Sequence, residues 1–182
     1  LLEGIHDQSY QKFEVINVDS GSNDRTLEIA ESWGVRMLAI DPADFTFGYS
    51  LNVGVEAAEG KFVVLISAHT EPCNKNWLEK LIEPLRDDNV AMVYGRQYAT
   101  ETSKFSESRD LQRTFGPDRQ RMAPPNFFAN NANSAIARHL WVERHFDPYL
   151  PGQEDIEWAK YWMEFGYTVI YEPDAAIYHI HE

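Results

Sequence analysis

Apolar runs of strand length alternate with longer amphipathic stretches along the first half of the chain. The apolar runs predict four buried strands, at residues 13–18, 35–40, 62–66 and 90–94. Between the strands, apolar residues recur at helical spacing in three stretches, at residues 22–33, 50–58 and 74–85. Strands joined by helices need crossover connections. The pattern therefore predicts an α/β fold, a three-layer α/β/α sandwich with a mostly parallel, twisted sheet.

The second half of the chain has a different pattern. Residues 99–125 are polar, aperiodic and charged with both signs, which predicts a long loop that is either functional or mobile. Beyond it the pattern predicts an ordered run at 132–137, helices at 138–145 and 154–165, and strands at 167–171 and 175–180. No internal repeat or Pro/Gly/Ser-rich linker interrupts the sequence, so we expect a single domain over residues 1–182.

Charge and cysteine content narrow the functional classes. Sixteen Lys and Arg residues against 29 Asp and Glu residues give a net charge of −13, which disfavours non-specific binding to nucleic acid or to anionic lipid. The single cysteine, Cys73, excludes an internal disulfide framework and a thiolate metal cluster built by this chain alone. No apolar run has the length of a membrane span and no signal peptide opens the sequence, so we expect a cytoplasmic protein.

Polar residues follow two of the predicted strands directly. Asp19, Ser20, Gly21 and Ser22 come after the strand at 13–18, at the sheet edge where open α/β folds bind ligands. An Asp there can accept a hydrogen bond from a nucleobase or ribose, although the segment also suits a simple strand-to-helix turn with capping residues. The glycine spacing of a dinucleotide fingerprint and the Gly-Lys-Ser/Thr ending of a Walker loop are both absent.

Histidines and a pair of acids complete the candidate chemistry. His69 follows the most apolar strand, and a neutral imidazole suits Mn²⁺ or Zn²⁺ better than Mg²⁺; the alternative is a hydrogen-bonded loop histidine. Glu154 and Asp155 open a predicted helix, where they act either as a catalytic base pair or only as helix-capping acids. At strand spacing His179 and His181 are expected on one face of the last strand, where they either present imidazoles together or lie at a frayed end.

Four motifs in this order resemble the family-2 glycosyltransferases of GT-A fold, which bind nucleotide-diphospho-sugars. Residues 14–26, EVINVDSGSNDRT, are similar to the family's first acidic motif, and residues 52–61, NVGVEAAEGK, to the helix that precedes its metal-site strand. Residues 152–157, GQEDIE, resemble its Glu-Asp motif, and the segment from Gly166 to His179 resembles its ending. The resemblance covers nearly the whole chain.

The resemblance implies a role for each matched residue. Asp155 becomes the general base of an inverting transfer and Glu154 lies beside it in the acceptor site. The nucleotide-sugar donor is expected at Asp19, Ser20, Gly21, Ser22, Asn52, Ser67, Ala68, His69 and Asn133. His69 and His179 are the expected ligands of a divalent cation, Mn²⁺ or Mg²⁺. Residues 1–97 form the expected nucleotide-binding half and residues 98–182 the acceptor-binding half.

Two departures from the family pattern open an alternative. The family's Asp-x-Asp cation motif reads Ser67-Ala68-His69, and its first strand has no counterpart, because residues 1–10 resemble the following helix. We therefore expect an inverting glycosyltransferase that adds single sugars to a glycan or lipid-linked acceptor of a surface polysaccharide, in the cytoplasm or at the inner face of the membrane. The alternative is a non-catalytic module of the same fold that binds nucleotide-sugar or glycan.

Overall fold

The computed structural model describes residues 1–100 and 103–180 of the chain. His181, which was expected on the same face of the last strand as His179, therefore lies outside the described residues. Seven α-helices occur among the described residues: α1 (Leu2–His6), α2 (Thr26–Ser32), α3 (Phe47–Ala57), α4 (Trp77–Ile82), α5 (Phe105–Thr114), α6 (Arg138–Glu143) and α7 (Glu154–Glu164). Eight strands occur there too: β1 (Ile16–Asp19), β2 (Arg36–Ala39), β3 (Phe62–Ile66), β4 (Thr70–Pro72), β5 (Val90–Ala99), β6 (Gln120–Met122), β7 (Asn133–Ala137) and β8 (Thr168–His179). Short 3₁₀ turns lie at Pro42–Asp44 and Glu83–Arg86.

The strands form two sheets. β1 and β2 pair in parallel, while the six-stranded sheet has the order β3-β7-β5-β8-β4, with β6 also paired to β8. In this larger sheet β5 and β8 are parallel and every other pairing is antiparallel. The α/β class is as predicted, but the sheet is mixed rather than mostly parallel. The difference arises because β7, from the second half of the chain, inserts antiparallel between β3 and β5.

Tryptophans anchor the helices on the larger sheet. Trp77 of α4, Trp141 of α6 and Trp158 of α7 are all at most 1% exposed. The predicted apolar stripe of α4 is buried, with Leu81 fully enclosed. Burying an aromatic or aliphatic side chain of this size contributes about 1.5–3 kcal/mol, so these contacts fix the helices on the sheet.

The predicted loop at 99–125 is partly regular, which corrects the sequence-based expectation. It contains α5 and β6. Helix α5 packs on β5 through one side only, where Leu111 and the following Phe115 contact the core. It therefore contains few apolar residues. Hydrophobic periodicity is therefore weak in a helix whose other sides face solvent.

The last strand is continuous where two strands were predicted. β8 pairs with β5 on both sides of an irregularity: Gly95 pairs with Glu172, and Gln97 already pairs with Ile177. Pro173 lies in the stretch of β8 between Glu172 and Ile177, where the hydrogen bonds to β5 are interrupted. Proline has no backbone N–H to donate, and none is needed there. The predicted division of the chain at residue 97 falls inside β5, so the two halves share this strand.

No helix among residues 1–100 and 103–180 has both the length and the apolar character needed to cross a bilayer.

Candidate functional site

A tight turn at the end of β3 presents His69. The backbone amide of Ser67 donates to the carbonyl of Ala132 at 3.1 Å, which ties the end of β3 to the residue before β7. The Thr70 hydroxyl then donates to the carbonyl of Ser67 at 2.7 Å and closes the turn. Ala68 and His69 are exposed at its tip, so the imidazole faces solvent.

Glu154 and Asp155 begin α7 directly after a left-handed residue. Gln153 has φ 65°, a conformation that ordinary residues adopt at a cost and that functional sites often retain. Both oxygens of Asp155 accept hydrogen bonds from backbone amides, Oδ1 from Ile156 at 2.7 Å and Oδ2 from Asn131 at 3.0 Å. The side-chain amide of Asn131 donates to Oε1 of Glu154 at 3.4 Å. The loop before β7 therefore orients both acids.

Burial raises the pKa of both acids. Glu154 is 6% exposed, and loss of hydration is the largest influence on its pKa and on that of the half-buried Asp155. The hydrogen bonds from Asn131 act in the opposite direction and favour the ionised forms. A carboxylate that holds its proton more tightly than a surface acid is a better general base, so the environment of Asp155 suits proton removal.

Two side chains that the sequence analysis did not single out connect these groups. Oδ1 of Asn130 accepts from Nε2 of Gln97 at 2.8 Å and from the amide of Ala132 at 3.0 Å. Oε1 of Gln97 lies 2.7 Å from Nδ1 of His179. The only sequence signal for this network is the three asparagines in residues 130–133, whose amides both donate and accept.

His69 lies in the turn directly before β4, next to the end of β8 that carries His179. The amide of Ile180 donates to the carbonyl of His69 at 2.7 Å, and Thr70 pairs with His179. The structure therefore brings together the turn at 67–69, the acids at 154–155 and the end of β8, through one network of hydrogen bonds.

The loop at residues 19–22 lies at the end of β1, a strand of the smaller sheet. The carboxylate of Asp19 accepts from the backbone amides of Gly21 at 2.9 Å and Ser22 at 3.0 Å. The side chain of Ser22, by hydrogen bonding, has the largest influence on the pKa of Asp19. Together with the two backbone amides it lowers that pKa against the opposing effect of burial and favours the ionised carboxylate. Gly21 has φ 100°, and a β-carbon there would lie 2.8 Å from Cγ of Pro42. Among the described residues, no hydrogen bond joins residues 19–22 to the network described above.

The side chains of Asn52 and Asn133, both predicted to lie in the donor site, make hydrogen bonds within the protein. Oδ1 of Asn52 accepts from the indole of Trp141 at 2.9 Å and from the amide of Phe146 at 3.1 Å, so this side chain holds α3 against the region of α6. Asn133 is fully buried, accepting from Trp77 at 2.9 Å and donating to the carbonyl of Ala175 at 2.8 Å. The amide of Asn133 is thus both enclosed and hydrogen-bonded, whereas Asn52 is only half-buried.

The residues present fit a softer cation better than Mg²⁺. No group of three or more His, Cys, Asp or Glu side chains is close enough to hold a metal ion within the described ranges. The chain offers imidazoles at His69 and His179, and Gln97 accepts a hydrogen bond from Nδ1 of His179, which orients that ring. Imidazole suits Mn²⁺, and oxygens of a bound diphosphate would have to complete the coordination.

The fold is that of the GT-A glycosyltransferases. S. aureus TarS 1–349 superimposes with a TM-score of 0.77 at 18% identity, covering 99% of this chain and 55% of that TarS fragment. A mannosyltransferase, PcManGT from Pyrobaculum calidifontis, solved with GDP-Man and Mn²⁺, superimposes with a TM-score of 0.72 at 21% identity, covering 97% of this chain and 51% of PcManGT. These matches confirm the predicted fold.

The family model named Glycosyl transferase family 2 matches residues 1–146, so the chain belongs to this family of glycosyltransferases. Among curated relatives, the O-antigen chain rhamnosyltransferase WbaN of Salmonella anatum is 27% identical over 184 residues, covering 96% of this chain and 58% of WbaN. The chain thus spans about three-fifths of that relative's length.

Proposed function

We propose that this chain binds a nucleotide-diphospho-sugar and transfers its sugar, with inversion, to a hydroxyl of a glycan or lipid-linked acceptor in surface polysaccharide synthesis. The observation that carries the proposal is the carboxylate of Asp155. It is half-buried, its pKa is raised by burial, and two backbone amides hold its oxygens in place. Such a group is oriented to take one proton from an incoming hydroxyl.

The proposed transfer uses Asp155 as general base. The acceptor hydroxyl gives its proton to the Asp155 carboxylate, and the hydroxyl oxygen forms a bond to the anomeric carbon. The bond from that carbon to the diphosphate oxygen breaks on the opposite side of the ring, and its electron pair stays on the leaving nucleoside diphosphate. Attack opposite the leaving group inverts the configuration of the sugar. Glu154, held by Asn131, lies beside this step in the acceptor site.

Neutralising the leaving diphosphate is the other requirement of the reaction. A divalent cation, when bound, supplies positive charge there. His69 and His179 are the residues that would hold it, together with oxygens of the donor. We propose that the loop at residues 19–22 contacts the nucleoside. Asp19 is ionised there, and Gly21 has no side chain to keep a ribose or base away from the backbone.

The comparisons support the choice of substrates. TarS has been solved with UDP and with UDP-GlcNAc, and PcManGT with GDP-Man, so proteins of this fold bind nucleotide-sugars of different bases. WbaN is named for transfer of rhamnose to the O-antigen chain. The single cysteine and a nucleotide-linked donor support the cytoplasm as the compartment of the reaction.

A non-catalytic binding module is the second candidate. It is favoured by one feature, the replacement of the expected acids of the cation motif by Ser67 and His69. Two fewer negative ligands weaken a site for a hard cation. This candidate predicts donor binding without transfer.

The two functions are separated by measuring binding and turnover on the same protein. Calorimetry with UDP-, GDP- and dTDP-linked sugars, with and without Mn²⁺, identifies a donor. The release of nucleoside diphosphate is then measured with a lipid-linked glycan as acceptor. Binding followed by release supports the transferase, binding without release supports the module, and failure of every donor to bind contradicts both.

A further inference from the structure

A cavity of about 270 Å³ lies between the carboxyl-terminal half of β5 and α5. Its polar lining comes from Arg96, Thr100, Ser108 and Gln112, and its apolar lining includes Leu111 and Phe115. The volume is below the roughly 300–1,000 Å³ of sites that enclose a whole organic ligand of drug size. The cavity therefore suits one charged or polar group better than a complete nucleotide-sugar.

Arg96 brings to this cavity a positive charge that forms no ion pair with a described residue. Its Nε atom is buried without a hydrogen-bond partner in the described part of the chain, and its guanidinium lies 4.5 Å from the centre of the Tyr98 ring. None of the ion pairs between described residues includes Arg96. A buried guanidinium donor without an acceptor is costly, so an anion entering the cavity would satisfy it.

The rest of the lining favours an anion as well. None of the described residues that line the cavity is an Asp or Glu, although acids outnumber basic residues 29 to 16 in the chain. The Ser108 hydroxyl and the Gln112 amide add neutral donors beside Arg96. A planar guanidinium with neutral donors around it matches the geometry of a phosphate group.

The cavity adjoins the proposed catalytic acids through hydrogen bonds. Gln97 lines the cavity and donates to Oδ1 of Asn130 at 2.8 Å. The next residue, Asn131, donates to Asp155 through its backbone amide and to Glu154 through its side chain. An acceptor whose hydroxyl approaches Asp155 thus has a cationic cavity along the same edge of the sheet.

We infer that the acceptor of this enzyme carries a phosphate group, which binds in the cavity through Arg96. This inference rests on the proposed transferase function and names the class of its acceptor. The phosphate belongs either to a lipid diphosphate or to the glycan itself, and both sources present the same chemistry to the guanidinium.

Binding of inorganic pyrophosphate to the 182-residue chain, followed by amide chemical shifts, tests the inference without any transfer reaction. We expect shifts at residues 96–100 and 108–115. Arg96→Gln should weaken pyrophosphate binding about tenfold or more, and Arg96→Lys should weaken it less, because lysine keeps the charge but not the planar fork. Arg113→Gln is the matched control, since it removes the same charge from an exposed position of α5 that does not line the cavity.

Shifts confined to residues 19–22 and 67–69, or equal affinity in Arg96→Gln, would overturn the inference. The wild-type shift map decides the question even where Arg96→Gln fails to fold. Displacement of pyrophosphate from residues 96–115 by UDP would assign the cavity to the donor and also overturn it. If these results confirm the phosphate site at Arg96, a second comparison identifies the molecule that carries the phosphate. Tighter binding of geranyl diphosphate than of pyrophosphate indicates a lipid diphosphate, and equal binding indicates a phosphate of the glycan.

The inference and the proposed function fail in different ways. Pyrophosphate binding at Arg96 without transfer to any acceptor leaves the anion site standing and removes the transferase. Transfer with an unchanged acceptor KM in Arg96→Gln leaves the transferase standing and removes the phosphate-bearing acceptor.

Discussion

The backbone amide of Asn131 donates to Oδ2 of Asp155 across 3.0 Å, linking residues that are 24 positions apart in the sequence. Because the donor is a backbone group, the carboxylate is oriented by the path of the loop before β7 rather than by a mobile side chain. The side chain of the same asparagine donates to Glu154. One residue thus positions both acids of the proposed acceptor site.

Asp155→Asn should lower turnover by about 10²–10⁴-fold while leaving donor affinity nearly unchanged, because the amide cannot accept the acceptor's proton. The rate of nucleoside diphosphate release and calorimetric donor binding measure the two effects. Glu164→Gln, an exposed acid at the far end of the same helix, serves as the control. Turnover above a tenth of the wild-type rate in Asp155→Asn would remove Asp155 from the base role.

The rate of transfer should rise with pH through a pKa above that of an ordinary aspartic acid, about 3.9. Burial raises the pKa of Asp155, and only its ionised form can accept the proton, so the rate is lost as pH falls through the raised pKa. The pH profile of kcat, with the donor saturating, measures this limb. A limb at or below pH 4 would show that a different, unperturbed group controls the rate.

Glu154→Gln should stabilise the folded chain at neutral pH, by about 1 kcal/mol. Burial raises the pKa of Glu154 in the folded state above its unfolded value, so the folded state binds more protons between the two values. The unfolding free energy of the wild type therefore falls as pH rises through that window, whereas glutamine does not titrate. Urea unfolding of both proteins at pH 7 and pH 4 measures the difference, which should narrow at the lower pH; a difference independent of pH contradicts the assignment.

His69→Ala should reduce the gain in donor affinity that Mn²⁺ provides, by about tenfold or more. The imidazole is exposed at the tip of the turn after β3 and is one of the two histidines that the chain offers to a cation. Calorimetric titration of UDP with Mn²⁺ and with EDTA measures the gain in each protein. His139→Ala removes an exposed imidazole from α6 as a control, and an equal gain in His69→Ala would refute the ligand role.

Gly95→Ala should destabilise the fold by about 3 kcal/mol or more. A β-carbon at this position would overlap the carbonyl of Ala175 and the side-chain amide of Asn133, which is fully buried and hydrogen-bonded. Gly116→Ala is the control, because nothing lies near its β-carbon and its φ is not positive. Urea midpoints measure both variants, and similar midpoints would show that the sheet tolerates a side chain beneath Asn133.

The local pattern predicted individual elements well where each one has its own strong periodicity. β3 occupies residues 62–66, as the apolar run predicts, and α7 begins at Glu154 as expected. The pattern was weak for α5, which buries one side only, and for β4 and β6, which are three residues long and depend on pairing with β8. Short strands carry too few positions for an alternation to stand out.

The candidate site divides in the same way. The chemical groups proposed for the site, Asp19, His69, Glu154 and Asp155, were singled out from motif order, whereas the hydrogen-bond partners of Asn52 and Asn133 could not be. Both asparagines were expected in the donor site because of the family resemblance, and Trp141 and Trp77 respectively donate to their side chains. Sequence spacing does not show which buried amide has already found its partners.

By itself the sequence determined which segments are apolar, roughly where six of the helices lie, and which residues bring charge and imidazole to the ends of strands. Only the tertiary structure decided that β7 lies antiparallel between β3 and β5, that Asn131 orients two acids, and that Arg96 lines a cavity between β5 and α5. The reason is physical: periodicity reflects burial of each segment on its own, whereas strand order and hydrogen-bond partners depend on contacts between residues far apart in the chain.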